Sequence, residues 1–368
     1  MGLVMMSLNE LSEEERDLFI KIQLENYKTS ANTVTGPSTE GYFGAVYVIC
    51  SGRDSWVAKC PNFKKFDGAE KTRDHVLKLI NEFAKSYAYY HNPWVNRVFD
   101  IQIYMGWPFI FWSFKDATLT DLIRNPLNWN LAQKYSILIM IIRGLLKARD
   151  HGLSAHQDLK PDNILVTDRA KRLLPGTRLL DPFVRFHPVI ADLATADAFL
   201  DDAKLAGSKP YKAPEQYEIP EMVDLGLARK IDDFAMGVIA TEVLSNGVHP
   251  IGVVTHERWP SSTGTWSRDT KWKKWARSEQ KELPELDDAV SAPLRRTLLA
   301  GMSVKPTTRP ELNELEVALW RDLESHDPQF TDVLRMFVKH TEGLYVQRGW
   351  PFMEELLKQV RTYYSQRQ

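Results

Sequence analysis

Cysteine is scarce in this chain, with Cys50 and Cys60 the two in 368 residues. Two cysteines cannot make a disulfide framework and show no metal-site spacing, so a reducing compartment is expected. The pair is read as ordinary core cysteines ahead of the alternative, a bond across neighbouring strands. No apolar run approaches the length needed to cross a bilayer, which excludes a membrane-spanning helix from the expectations. The opening Met1-Gly2-Leu3-Val4-Met5-Met6-Ser7 lacks the charged front of a secretory signal. Gly2 is equally unconvincing as an acylation site, because Met6 stands where that motif wants a hydroxyl and Ser7 falls one place late. Neither sign of charge predominates: 47 Lys and Arg face 48 Asp and Glu, a net charge of -1, and nothing in that balance points to nucleic acid. Internal repeats and low-complexity tracts are absent as well. A cytoplasmic protein that folds without staples or membrane contact is expected.

What is present is enough chain for two lobes, with 43% hydrophobic residues to build their cores. Leu11 to Tyr27 reads as an amphipathic helix, with Ser12 as N-cap, Glu13 to Glu15 in the first turn, and Leu18, Phe19, Ile22 and Leu24 as its apolar face. From about Thr33 to Cys60 the pattern changes to β-formers punctuated by glycine. Tyr42 to Cys50 and Trp56 to Cys60 make a hairpin about the turn Ser51-Gly52-Arg53-Asp54. Lys71 to Tyr90 returns to helical spacing, and Val95 to Ile103 and Trp107 to Ser113 read as two more strands. Leu131 to Asp150 carries Ile137 to Ile142, Leu145 and Leu146 with little polar interruption, as a helix buried on most sides does. Further helices are expected at Ile231 to Leu244, Pro293 to Gly301, Glu311 to Leu323, Pro328 to His340 and Pro351 to Tyr364.

The most informative residues are His156-Gln157-Asp158-Leu159-Lys160-Pro161-Asp162-Asn163-Ile164-Leu165. They set a carboxylate, a lysine and an amide at the spacing phosphoryl transfer requires. Asp158 can accept or orient the proton of an attacking hydroxyl, Lys160 can neutralise the moving phosphoryl group, and Asn163 can ligate Mg²⁺. The stretch resembles the catalytic loop of the eukaryotic-type (Hanks-type) serine/threonine protein kinases, whose lysine two residues after the aspartate separates them from the tyrosine kinases.

That resemblance continues in family order from about residue 36 to 312. Thr39-Glu40-Gly41-Tyr42-Phe43-Gly44-Ala45-Val46-Tyr47 is similar to the glycine-rich loop, with Thr39 in place of the first glycine. Gly41 and Gly44 would let backbone N–H groups approach phosphates, and Val46 would cover the adenine. Lys59, at the end of Trp56-Val57-Ala58-Lys59, falls where the family grips the α- and β-phosphates, with Val57 in the slot of the usual alanine. Its carboxylate partner is expected to be Glu82, ahead of Glu70, because His91-Asn92-Pro93 follows at the expected interval. Val189-Ile190-Ala191-Asp192-Leu193-Ala194 places Asp192 as the second metal ligand in a DLA version of the family's DFG. Asp181 competes for that role, but Asp181-Pro182 reads as a turn, and residues 168 to 188 are expected to include an inserted loop rich in Arg and Lys.

Gly207 to Glu215 resembles the substrate-docking segment that ends in Ala-Pro-Glu. By that resemblance Ser208 bonds the catalytic aspartate and lysine, Glu215 pairs with Arg309, and Asp232 holds the catalytic-loop backbone. Gln157 departs from the family, since regulated members carry arginine there to receive a phosphorylated activation loop. The departure implies activity that does not wait for such phosphorylation.

The resemblance implies an α+β, bilobal protein-kinase-like fold. Residues 1-32 would be an N-terminal helical extension, 33-114 a small β-rich N-lobe, 115-324 a larger helical C-lobe, and 325-368 a C-terminal helical extension. It implies ATP and Mg²⁺ as cofactors, with Mn²⁺ as a substitute, and a protein substrate with a Ser or Thr acceptor. Trp266 to Arg277 interleaves tryptophan with basic residues. It is read as a helix burying its tryptophans under a solvated basic face, ahead of a docking site for a partner, an acidic peptide or a nucleic acid. Two rivals stand beside the kinase reading. A small-molecule kinase on the same fold would not need Lys160 or the Ala-Pro-Glu segment. A pseudokinase scaffold binding nucleotide or partners draws support from Thr39, Val57 and the DLA, though none of these removes a charge the reaction needs.

Overall fold

A computed structural model describes residues 11–28, 32–40, 44–52, 54–61, 69–172, 183–197, 199, 207–217, 224–254 and 269–344. Gly41, Asp181, Trp266 and the expected helix from Pro351 to Tyr364 lie outside the described residues. The protein is mixed α+β and divides into two compact units, one holding residues 11–91 and 96–114 and the other 92–95 and 115–344 among those described.

The first unit is built on a five-stranded antiparallel sheet in the order β1-β2-β3-β5-β4, from β1 (Thr33–Glu40), β2 (Ala45–Ser51), β3 (Asp54–Cys60), β4 (Val98–Tyr104) and β5 (Trp107–Ser113). Strand side chains alternate between faces, so the register decides which residues share a surface. Tyr47, Ala58 and Phe111 lie in one cross-strand row; Val46, Lys59 and Ile110, and beside them Val48, Val57 and Trp112, line the other face. The helices α1 (Glu13–Glu25) and α2 (Ala69–Ala88) complete the core, contributing Ile20 and Leu24, and Val76, Leu79, Ile80 and Phe83. Ser12 caps α1 in a reciprocal box with Glu15, as its sequence predicts. The apolar face of α1 is a correction. Leu18 and Ile22 are 60% and 43% exposed, and it is Ile20 and Leu24, four residues apart, that are buried. Tyr27 then stacks on Phe111 with centroids 4.0 Å apart, which fixes the end of α1 against the sheet.

The second unit is mainly helical. Its centre is α4 (Leu131–Asp150), capped by Asn130 with Gln133 and buried along nearly its whole length. Around it lie α3 (Leu119–Ile123), α5 (Leu225–Leu244), α6 (Asp269–Ala276), α7 (Ala292–Gly301), α8 (Leu312–His326) and α9 (Pro328–Leu344). α5 starts six residues earlier than its apolar periodicity suggests, because the Asp224 carboxylate accepts the Leu227 N–H at 2.7 Å and begins the helix on an exposed turn. α9 belongs to the same core, burying Phe330, Leu334 and Val338. A small antiparallel sheet, β6 (Ala117–Thr118), β7 (Ile164–Asp168) and β8 (Phe186–Ile190), carries the candidate site. Within the described residues no helix is long and apolar enough to cross a membrane.

Candidate active site

In the first unit, Lys59 and Glu82 meet. The ammonium lies 2.6 Å from a carboxylate oxygen, with the two side chains 18% and 7% exposed. The side chain of the alternative partner, Glu70, lies outside the described residues. Gly44 lies against this pair for want of space: a β-carbon there would come within 2.8 Å of the Cys60 carbonyl and 3.1 Å of the Lys59 stem. Val46 and Val57 are half-buried on the Lys59 face, so the sheet offers an apolar surface beside one cation. Cys60 is buried, and burial pushes its thiol pKa far up, while Cys50 is exposed and unpaired, so both cysteines are free.

In the second unit, the β7–β8 hairpin decides where the other residues fall. Ile164 pairs with Ile190, so Asn163, just before β7, and Asp192, just after β8, emerge at the same end. Ala191 fastens this end on both sides. Its N–H donates to the Asn163 carbonyl at 2.8 Å, and its own carbonyl accepts from His156 Nε2 at 3.0 Å. Residues 169–185, the long connection anticipated from the sequence, join the opposite end, about 16 Å away at the rise of a five-residue strand. There Asp168 and Arg185 form a double hydrogen bond at 2.7 and 3.0 Å, closing the strands before the connection leaves them.

Around Asp158 the hydrogen bonds form a fork. Lys160 Nζ donates to Asp158 Oδ2 at 2.9 Å and to Ser208 Oγ at 2.8 Å, while Asn163 Nδ2 donates to the Asp158 carbonyl at 2.8 Å. The amide nitrogen of Asn163 is engaged in this way, while its oxygen has no described hydrogen bond. Asp158 Oδ1 is buried with no hydrogen-bond partner among the described residues. A buried carboxylate oxygen left so is costly unless a ligand completes it. The Asp192 carboxylate has no described hydrogen bond or ion pair, and no group of three or more His, Cys, Asp or Glu side chains gathers anywhere in the described residues. One carboxylate and one amide oxygen suit Mg²⁺, which keeps several waters and binds through one or two protein oxygens together with substrate phosphates.

Three residues here hold a left-handed backbone without being glycine, Gln157 at φ 67°, Asp192 at φ 59° and Asp197 at φ 57°. Such a conformation persists only where neighbours over-determine it. At Gln157 they do: its N–H donates to Asp232 at 3.0 Å, its carbonyl accepts from Gln216 at 3.0 Å, and its side-chain amide donates to the Thr195 carbonyl at 3.2 Å. Asp232 also accepts the His156 N–H at 2.8 Å, and burial raises its pKa against the pull of Arg149 and these two donors. Asp197, which carries no sequence motif, accepts the Ser154 and Ala155 N–H groups at 2.9 and 2.8 Å, and so straps residues 192–197 to the segment that leads into Asp158.

The 207–217 segment is held from several directions. Arg309 makes a double hydrogen bond to Glu215 at 2.6 and 2.8 Å, and the Tyr211 hydroxyl donates to Glu242 at 2.9 Å. Beneath it, His249 Nε2 donates to the Pro210 carbonyl at 2.9 Å. The rings of Trp272 and Trp275 close around His249 at 5.6 and 5.0 Å. These two tryptophans of the Trp266 to Arg277 segment are therefore used in packing, as in the first of the two sequence readings.

Burial pushes the pKa of His249 down from 6.5 to about 3, against the hydrogen bond to Pro210, and that of His187 to about 3 as well. As pH falls below 6.5 the unfolded chain takes up protons at both positions that the folded chain refuses until about pH 3. The contribution of these two histidines to stability is therefore level above about pH 6.5 and falls steadily below it. Thermal melts from pH 7 to 4.5 are expected to show this decline, with the slope reduced by about one proton in His249→Gln. An unchanged slope in that variant would contradict the assignment.

No family model matches the chain. It is similar to a protein of Bifidobacterium longum (strain NCC 2705) named "Probable serine/threonine-protein kinase pknA2", with 24% identity over 202 residues that cover 51% of this chain and 24% of that protein. The chain thus spans about a quarter of that relative's length. The likeness is distant, and it is to a kinase.

Proposed function

We propose that the protein is a serine/threonine protein kinase that transfers the γ-phosphoryl group of ATP, with Mg²⁺, to a hydroxyl of a protein substrate. The observation that supports this most is the double fastening of Ala191 to Asn163 and His156, which ties the residue just before Asp192 to the stretch that carries Asp158 and Asn163. Asp158 and Asn163 come from one stretch and Asp192 from another, and the pairing of Ile164 with Ile190 leaves the two stretches at the same end of β7 and β8.

In this reading Lys59, held extended by Glu82, binds the α- and β-phosphates, and Val46 and Val57 contact the adenine. Gly41 and Gly44 allow backbone N–H groups close to the phosphates. The oxygens of Asn163 and Asp192 hold Mg²⁺, which when bound neutralises phosphate charge. Asp158 accepts the proton of the attacking hydroxyl, and Lys160, bridging Asp158 and Ser208, neutralises the group in transit. Most of the catalysis is then positioning and charge neutralisation.

Activity is proposed to be independent of activation-loop phosphorylation. The residue at the family's arginine position is the neutral Gln157, already committed to Asp232, Gln216 and the Thr195 carbonyl. Thr195 Oγ1 makes a long bond of 3.4 Å to the His156 carbonyl, so its removal loses little. Thr195→Ala is expected to keep more than about a third of wild-type transfer to a generic basic protein in MgATP, a change within about 0.7 kcal/mol. Near-complete loss would sink phosphorylation independence, and absence of transfer by the wild type would count against the kinase reading itself.

A further inference from the structure

α9 is more than an appended helix, because its last turn is wired to the strand that precedes Asp192. Glu342, near the C-terminal end of α9, receives the Arg143 guanidinium of α4 at 2.8 and 2.9 Å and the Trp94 indole N–H at 3.3 Å. Arg143 also donates to Glu316 of α8 at 2.9 Å, so one guanidinium joins α4, α8 and α9. These charges fix each other: Glu342 lies below the usual carboxylate range despite partial burial, chiefly through its hydrogen bond from Arg143.

Trp94 carries the connection onward. Its side chain is fully buried, and its carbonyl accepts the Ile190 N–H at 2.7 Å, two residues before Asp192. Its ring meets His187 of β8 at 5.0 Å and Phe337 of α9 at 6.3 Å, and Phe337 in turn meets His187 at 6.2 Å. On the other side Gly144 of α4 leaves room for it, since a β-carbon there would lie 2.7 Å from the Trp94 β-carbon. Trp94 is thus packed among α4, α9 and β8. Next along β8, Ala191 is the residue that ties the strand to Asn163 and His156.

We propose that Glu342 is a positioning residue: through Trp94 it sets the placement of β8 and of the Asp192 carboxylate, so that α9 tunes the use of Mg²⁺ without touching it. The inference rests on the reading of Asp192 as a metal ligand. It predicts a different signature from simple loss of stability, because the connection ends at one carboxylate rather than at the core as a whole.

Glu342→Ala and Trp94→Phe test it, the second removing the indole N–H while keeping an aromatic ring. Leu334→Ala, a fully buried position of α9 in the common core, serves as the control for destabilisation alone. Two quantities would be measured in each: the Mg²⁺ concentration that half-saturates ATP transfer, and the amide hydrogen exchange of peptides covering 186–197. Glu342→Ala and Trp94→Phe are expected to raise the half-saturating Mg²⁺ about five-fold, the equivalent of about one hydrogen bond. They should also speed exchange of 186–197 relative to the rest of the chain. Leu334→Ala should lower the melting temperature while leaving both ratios as in wild type. The proposal is overturned if the two variants move the Mg²⁺ dependence no further than the control does. If the wild type shows no Mg²⁺-dependent transfer, the kinase reading fails, and the exchange arm still decides whether Glu342 places β8. Equal protection of 186–197 in Glu342→Ala and wild type would show that it does not.

Discussion

Asp158→Ala is expected to lower kcat/KM for phosphoryl transfer by about 10³-fold, within the usual range for a removed general base, while the protein stays folded. The loss should fall mainly on kcat, because Asp158 acts on the proton of the attacking hydroxyl and takes no part in the proposed binding of ATP. Stability should hardly change. One Asp158 oxygen accepts Lys160, but the other is buried without a described partner, a cost that the substitution relieves. Lys160 would keep Ser208, and Asn163 would keep the main-chain carbonyl of residue 158. Steady-state transfer and a thermal melt on the same preparation check both halves. A folded variant that retains most of the wild-type rate would remove Asp158 from the chemistry.

Breaking the Glu215–Arg309 pair should do the opposite, with a large loss of stability. The Arg309 side chain is fully inaccessible and that of Glu215 is 9% exposed. Glu215→Ala strands a guanidinium that cannot lose its proton, and the expected cost is about 3 kcal/mol, the lower end for such pairs. The lower end applies because Arg309 still donates to the carbonyls of Ser303, Lys230 and Val304. In a domain of this size the melting temperature should fall by roughly 6–12 °C. Combining Glu215→Leu with Arg309→Met should recover the stability to within about 1 kcal/mol, since no charge is then left buried. Urea unfolding of the three proteins decides it, and a single variant within about 0.5 kcal/mol of wild type would mean the pair is not closed in solution.

Much of this was legible in the sequence where one strong local pattern decides the outcome. α4 spans Leu131–Asp150 as its uninterrupted apolar run implies, and β5 spans Trp107–Ser113. The Lys59–Glu82 contact was implied by the kinase resemblance, through the interval from Glu82 to His91-Asn92-Pro93. The buried face of α1 was harder, since Leu18, Phe19, Ile20, Ile22 and Leu24 offer more than one apolar stripe and only the packing surface selects Ile20 and Leu24. Asp197 and Gln216 hold the catalytic loop and the segment leading into it through backbone groups, and a single aspartate or glutamine has no periodicity to announce such a bond. Glu342 and Trp94 lie 248 positions apart, so their contact depends on the whole helical unit being assembled first. Local chemistry was readable because kinase-like motifs are contiguous; its support was not, because it is assembled from distant single residues.

The most direct test of the central claim is to incubate the purified protein with MgATP and a generic basic protein, and to map phosphorylated residues by mass spectrometry in wild type, Asp158→Ala and Asp192→Ala. The account predicts phosphoserine or phosphothreonine in the wild-type reaction and its disappearance in both variants. Binding of MgATP without transfer by the wild type would contradict it, and would leave the protein a nucleotide-binding scaffold or a kinase for an acceptor of another kind.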